Sequence, residues 1–262
     1  MQKIFVIISL FLLTACAGTE RVRTKNIHDG SEVSMAIEIF KSDKLPAPTV
    51  LLLHGCGGVD EHDRDWAKQV QSWGFNAIVV DSFTSRFVRS TCEKAMNVQP
   101  LQRAIDAHLT ARWVKSQPWS TNKVGLIGFS HGGWSALYAS TKQDAEREIG
   151  SAEISSVITY YPYCGQRFYS FKLHVPLQIH IGELDEWTPA GVCRDLAKYW
   201  GIGNDYYEYK GVHHSFDRAN LDLKMRGLGE LGILSDRVLR SDPAANKTSR
   251  DLTRSFLEKT LR

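Results

Sequence analysis

Apolar and polar positions along the chain follow two rhythms. Residues 32–40 (EVSMAIEIF) alternate at period two, the pattern of a strand with one face in solvent. The later runs, at 49–53 (TVLLL), 76–80 (NAIVV), 124–127 (VGLI), 154–159 (ISSVIT), 177–181 (LQIHI) and 205–209 (DYYEY), are mostly continuous stretches of apolar, β-branched or aromatic residues. Such runs suit strands covered on both faces. Between them apolar residues recur at helical spacing over 63–73, 100–116, 131–141, 190–200 and 249–261. Strand and helix alternating in this way predict an α/β fold, with a mostly parallel central sheet flanked by helices on both faces. Residues 33–262 fit one such domain. In these sheets chemistry collects in the loops at the carboxyl ends of the strands, so those loops hold the candidate residues.

The first residues follow neither rhythm. Met1-Gln2-Lys3 is a short positive start, residues 4–13 are apolar but too few to span a bilayer, and Leu13-Thr14-Ala15-Cys16 follows. Residues 1–15 therefore read as an export signal. The L-T-A-C ending resembles a bacterial lipobox, which implies an acylated Cys16, a polar leader over 16–32 and a protein tethered to a membrane, facing the periplasm. Ala17 after that cysteine, rather than Asp, resembles the sorting pattern for the outer membrane. The formal net charge is only +3, one of those positive charges being Lys3, and no basic block interleaved with aromatics occurs. Nucleic acid is thus not an expected partner. Oligomeric state is left open.

Beyond Cys16 the cysteines are Cys56, Cys92, Cys164 and Cys193, with no C-x-x-C pair and no histidine at metal-ligand spacing. A metal site is not expected. An even number in an exported chain suggests disulfides. Cys56 and Cys92 follow the first and second continuous strands and Cys164 and Cys193 follow later consecutive ones, which favours the bonds Cys56–Cys92 and Cys164–Cys193, one of the three possible connectivities.

Gly128-Phe129-Ser130-His131-Gly132 fits G-x-S-x-G. The bare pattern is short, so its surroundings carry the weight: a buried-strand run ends on it and a helical pattern begins straight after. A serine at a sharp strand-to-helix turn is a nucleophile elbow. Serine is barely ionised at neutral pH and needs a base, and the base needs a group to orient it. Glu183, Asp185 and Glu186 follow the 177–181 strand, and His213 and His214 follow the 205–209 strand. Serine, acid, histidine is the chain order of α/β hydrolases. The glycine-rich turn Leu53-His54-Gly55-Cys56-Gly57-Gly58 can present the Cys56 N–H to a developing oxyanion, and the His131 N–H can supply the second donor. Trp187 and Trp134 could line a pocket or pack in the core, and Asp81 reads as a loop cap.

From Leu51 onward the segments LLLHGCGGVD, VVDSFTSR, GFSHGG, YYPYCG, IHIGELDEWTPAGVC, YKGVHHSF and LRSDPAA resemble the dienelactone hydrolase family, in particular an exported bacterial branch. The resemblance implies an α/β-hydrolase fold and a carboxylic-ester hydrolase acting on an ester, thioester or lactone without a cofactor. It implies Asp185 as the acid and His214, before Ser-Phe, as the base. The founding members use a cysteine nucleophile triggered by a glutamate where this chain has Gly55. With Ser130 at the nucleophile position that thiolate route is closed. The family also grips a substrate carboxylate with arginine, and Arg86 lies near the comparable place. A peptidase or acyltransferase on the same frame, and a catalytically silent envelope lipoprotein that binds a ligand, are the alternative readings.

Overall fold

The computed structural model describes residues 18–141, 150, 152–228 and 234–262. The expected signal and Cys16 lie outside the described residues. An eight-stranded sheet runs in the order β1-β2-β4-β3-β5-β6-β7-β8. Its strands are β1 (Gly18–Lys25), β2 (Glu32–Phe40), β3 (Ala47–Leu53), β4 (Asn76–Asp81), β5 (Ser120–Phe129), β6 (Ser156–Tyr160), β7 (Leu177–Gly182) and β8 (Tyr206–Tyr209). From β4 to β8 all neighbours are parallel, and β2 joins β4 antiparallel. The main helices are α1 (Glu61–Ser72), α2 (Pro100–Lys115), α3 (His131–Ala139), α4 (Ala190–Trp200) and α5 (Pro243–Leu261).

Two glycines of β5 show the helices on opposite faces. A Cβ on Gly125 would meet Leu261 and Leu257 of α5, whereas one on Gly128 would meet Ala136 of α3. An odd separation along a strand puts the two positions on opposite sides. Trp66 of α1 packs on Phe129 and Tyr160, and Arg250 of α5 stacks over Trp66, so α1 shares the α5 side. The strand runs between these layers are buried throughout: Val50 to Leu53, Ala77 to Val80 and Ile179 to Ile181 are at most 1% exposed. At about 1.5–3 kcal/mol per fully buried aliphatic side chain, this interior is the main stabilising term.

The expected leader over 16–32 is corrected. Residues 18–25 form β1, paired antiparallel with β2 along its whole length, so the domain begins well before residue 33. Only Val22 and Thr24 point inward from this edge strand, which is why GTERVRTK carries no apolar run. The segment is also tied to α2. Thr24 Oγ1 donates to Asp106 Oδ1 at 2.7 Å, Ile27 N donates to Gln102 Oε1 at 2.8 Å, and Gln102 Nε2 donates to Lys25 O at 2.9 Å. A second departure is an antiparallel hairpin, β9 (Asp222–Leu228) and β10 (Leu234–Arg240), where the sequence offered no motif. It sits against the loop of the candidate histidine, with Arg240 N donating to His214 O at 3.1 Å.

Candidate active site

β5 delivers Ser130 to the top of the sheet on a backbone that only glycines can surround. Ser130 has φ 52° and ψ −114°, a region costly for a side-chain-bearing residue. A Cβ on Gly128 would lie 2.2 Å from Gly132 O, and one on Gly132 would lie 2.1 Å from Leu53 O. The two glycines of G-x-S-x-G are therefore steric necessities: the turn folds back onto itself and onto the end of β3.

The loops after β7 and β8 bring the other two residues to Ser130. His214 Nε2 lies 3.0 Å from Ser130 Oγ, and His214 Nδ1 lies 2.7 Å from Asp185 Oδ2. Both His214 and Asp185 are buried. Asp185 is held as an oriented acceptor: Oδ1 receives the N–H groups of Trp187 at 2.9 Å and Thr188 at 2.8 Å. Thr188 Oγ1 stands 3.0 Å from both Asp185 Oδ2 and Tyr161 O. The neighbouring acids are occupied elsewhere, Glu183 accepting from Gly211 N at 2.8 Å and Glu186 from Val238 N at 2.9 Å. His213 faces outward, with Nδ1 3.1 Å from Leu184 O. Such a chain can move the serine proton to the imidazole as Oγ attacks, while the carboxylate fixes the tautomer and stabilises the imidazolium.

Cys56 and His131 border the same cavity as Ser130, and neither backbone N–H has an acceptor among the described residues. These are the properties required of oxyanion donors. The His131 N–H is the open first donor of α3. Cys56 is held at its carbonyl, which accepts from Thr91 N at 2.8 Å, and by its disulfide to Cys92. The second disulfide joins Cys164 to Cys193. Both pairings are those the strand order favoured.

Two cavities flank Ser130. One, of about 310 Å³, is walled by Thr91, Ala95, Trp134, Tyr163, Trp187 and Arg237. The other, of about 230 Å³, meets Phe129, Tyr161, Leu221, Met225, Leu239 and Arg218. Trp187 borders both, and its ring lies 6.0 Å from that of His214. Arg237 stacks on it at 4.6 Å. Sequence reasoning missed Arg237, Met225 and Leu239 because the hairpin had no signature. It also missed Tyr161, whose ring lies 4.5 Å from that of His214, though Tyr161 belongs to the YYPYCG segment.

Arg86 is not at the site, which corrects its expected role in binding substrate. Its guanidinium forms a bidentate pair with Asp106, Nη1 to Oδ2 and Nη2 to Oδ1 each at 2.9 Å, and also reaches Ser82 O and Asn26 Oδ1. The charge sits over a fully buried carboxylate on α2, where the pairing is structural. Asp60, His62 and Asp63 come within 4.8 Å of one another. Asp60 and Asp63 form the capping box of α1, Arg218 neutralises Asp60 at 2.7 Å, and His62 Nε2 pairs with Asp217 at 2.7 Å. That cluster is accounted for by the fold.

A nucleophile elbow, an acid and a histidine on successive strand ends, and two open N–H donors define an α/β hydrolase. The chain belongs to the dienelactone hydrolase family, whose family model matches residues 35–260. It is 21% identical over 193 residues to the carboxymethylenebutenolidase of Pseudomonas putida, covering 68% of this chain and 78% of that enzyme. Among solved structures it is similar to the propionate-bound Thermogutta terrifontis esterase Est2, with TM-score 0.66, 18% identity, and 92% and 94% of the two chains covered. The Thermogutta terrifontis esterase 2 phosphorylated by paraoxon superposes with TM-score 0.67 at 19% identity, over 93% of this chain and 94% of the other.

Proposed function

We propose that this protein is a serine hydrolase that cleaves a carboxylic ester or lactone through an acyl-enzyme on Ser130. The observation that carries this reading is the continuous chain from Asp185 Oδ2 through His214 to Ser130 Oγ, at 2.7 and 3.0 Å, ending on a strained elbow. His214 takes the Ser130 proton as Oγ attacks the carbonyl carbon. The Cys56 and His131 N–H groups receive the negative charge on the carbonyl oxygen. His214 then returns the proton to the leaving oxygen, and a water molecule repeats the sequence to free the acid. The modest cavities on either side of Ser130 favour small acyl and alcohol groups, with Trp187 as the shared wall and substrate-contacting residue.

Removing Ser130 or His214 should lower kcat by on the order of 10⁴–10⁶, because the members act as a unit. The test is a panel of short- and long-chain p-nitrophenyl esters and lactones on wild type, Ser130→Ala and His214→Ala. Turnover by folded Ser130→Ala at the wild-type rate would exclude the mechanism. We read the same protein as exported and tethered through a lipidated Cys16, facing the periplasm from the outer membrane. Its two disulfides support an oxidising compartment. Metabolic labelling with an alkynyl fatty acid, lost in Cys16→Ala, tests the anchor.

A further inference from the structure

Behind the two open N–H donors lies a cation that the acyl-transfer steps do not use. Arg103, on α2, is fully buried. Nη2 donates to His54 O at 2.7 Å, and Nη1 donates to His131 Nδ1 at 2.7 Å. The guanidinium also stacks on Phe83 at 4.9 Å. No carboxylate lies within 4.0 Å of it among the described residues, and its Nε has no partner. Burial pushes this guanidinium down to about 9 although Asp106, Asp63 and Asp81 attract it from beyond ion-pair distance, and its two hydrogen bonds go to the two turns that present the donors.

The geometry of each turn transmits that grip. In a trans peptide the C=O of one residue and the N–H of the next point opposite ways. His54 Nδ1 donates to Gly55 O at 2.7 Å, so the Cys56 N–H of the same peptide faces away from the His54 ring, and Cys56 borders the same cavity as Ser130. Arg103 fixes His54 itself at its carbonyl. On the other turn Ser130 O accepts from Trp134 N at 2.8 Å, which aims the His131 N–H out of the helix. The His131 ring is clamped between Arg103 and Ala95 O, the latter at 2.8 Å. Burial first, and Arg103 second, push the His131 imidazole down to about 3, so it is neutral, accepting at Nδ1 and donating at Nε2.

We propose that Arg103 is a positioning residue that locks the two oxyanion donors into one unit and sets a positive charge beneath the oxyanion. The inference rests on the acyl-transfer reading above. It is tested with Arg103→Gln and Arg103→Lys, assayed on p-nitrophenyl acetate and with phenylboronic acid. In the boronate adduct Ser130 Oγ bonds to boron, the serine proton passes to His214, and the boron becomes a tetrahedral anion. In Arg103→Gln kcat should fall about 10- to 100-fold with KM within about threefold, since only interactions that strengthen in the transition state are lost. Boronate affinity should fall with kcat, and Arg103→Lys, which keeps the cation, should retain more of both. A purely structural role would lower the melting temperature and leave kcat and boronate affinity within threefold, which would overturn the proposal. So would a loss carried wholly by KM, or equal kcat in the Gln and Lys variants. Should the Gln variant not fold, Arg103→Met, which removes the charge and both hydrogen bonds at similar volume, decides in its place: a drop in kcat and boronate affinity at constant KM supports the lock, and wild-type values overturn it. Ser130→Ala, measured alongside, keeps the two readings apart. Turnover surviving there refutes the acyl-transfer reading itself, whereas its loss there combined with intact Arg103 variants refutes only the lock.

Discussion

Replacing Gly132 by alanine perturbs the elbow by one methyl group. Its Cβ would stand 2.1 Å from Leu53 O and 2.5 Å from His54 O, both backbone atoms at the end of β3. Non-bonded carbon and oxygen approach to about 3.3 Å, so the start of α3 must retreat from β3 by roughly 1 Å. That retreat carries the His131 N–H away from Cys56 and Ser130 away from His214. A misplacement of about 1 Å at a reacting centre lowers kcat about 10²-fold, and overpacking a tight interior costs about 1–3 kcal/mol. Gly57 in the neighbouring turn is the internal control, because a Cβ there meets nothing within 4 Å. Gly57→Ala should change stability by less than about 0.5 kcal/mol. Stopped-flow bursts with p-nitrophenyl acetate give the acylation rate, and urea titration gives the stability. Gly132→Ala with wild-type acylation and stability would refute the steric account of the elbow.

Two further outcomes follow from buried charges and a third from the disulfides. Arg86→Met leaves Asp106 buried without its bidentate partner and should destabilise the fold by about 3–5 kcal/mol in urea titration, while kcat of the folded fraction stays within twofold. A selective loss of affinity for anionic esters would instead restore the binding role that the sequence suggested. Asp63 is raised to about 6, chiefly by burial, above its ordinary carboxylate value. Its protonated form is the one the fold prefers, so its contribution is fully present below pH 4 and is lost as pH rises through 6. That lost contribution amounts to about 3 kcal/mol between pH 4 and 8. Asp63→Asn should therefore gain on wild type as pH rises over that window, and melting curves parallel at every pH would refute the assignment. In denatured, unreduced protein none of Cys56, Cys92, Cys164 and Cys193 should react as a free thiol, and recovering all four would exclude both disulfides.

The parallel strands and their helices were legible because full burial writes continuous apolar runs. Helices 100–116 and 190–200 were expected within a residue of Pro100–Lys115 and Ala190–Trp200. Edge elements were not legible. β1 buries only Val22 and Thr24, and β9–β10 pairs mainly with itself, so neither needs a hydrophobic signature. Ser130 and the donors Cys56 and His131 could be read from local spacing, since glycine is required where backbones collide. Choosing Asp185 over Glu183 and Glu186 needed the family resemblance. The structural reason is that Thr188 and the N–H groups of residues 187 and 188 turn only Asp185 toward His214. Arg86 was misread because Asp106, twenty positions downstream, gives no hint in the sequence that it lies beneath the same loop.

The most direct test of the central claim is labelling of the full chain with a fluorophosphonate, followed by peptide mapping. The account predicts one label per molecule, on Ser130, absent from Ser130→Ala and formed on the order of 10³-fold more slowly in His214→Ala. A folded protein that hydrolyses esters yet is labelled at another residue, or at none, would contradict it.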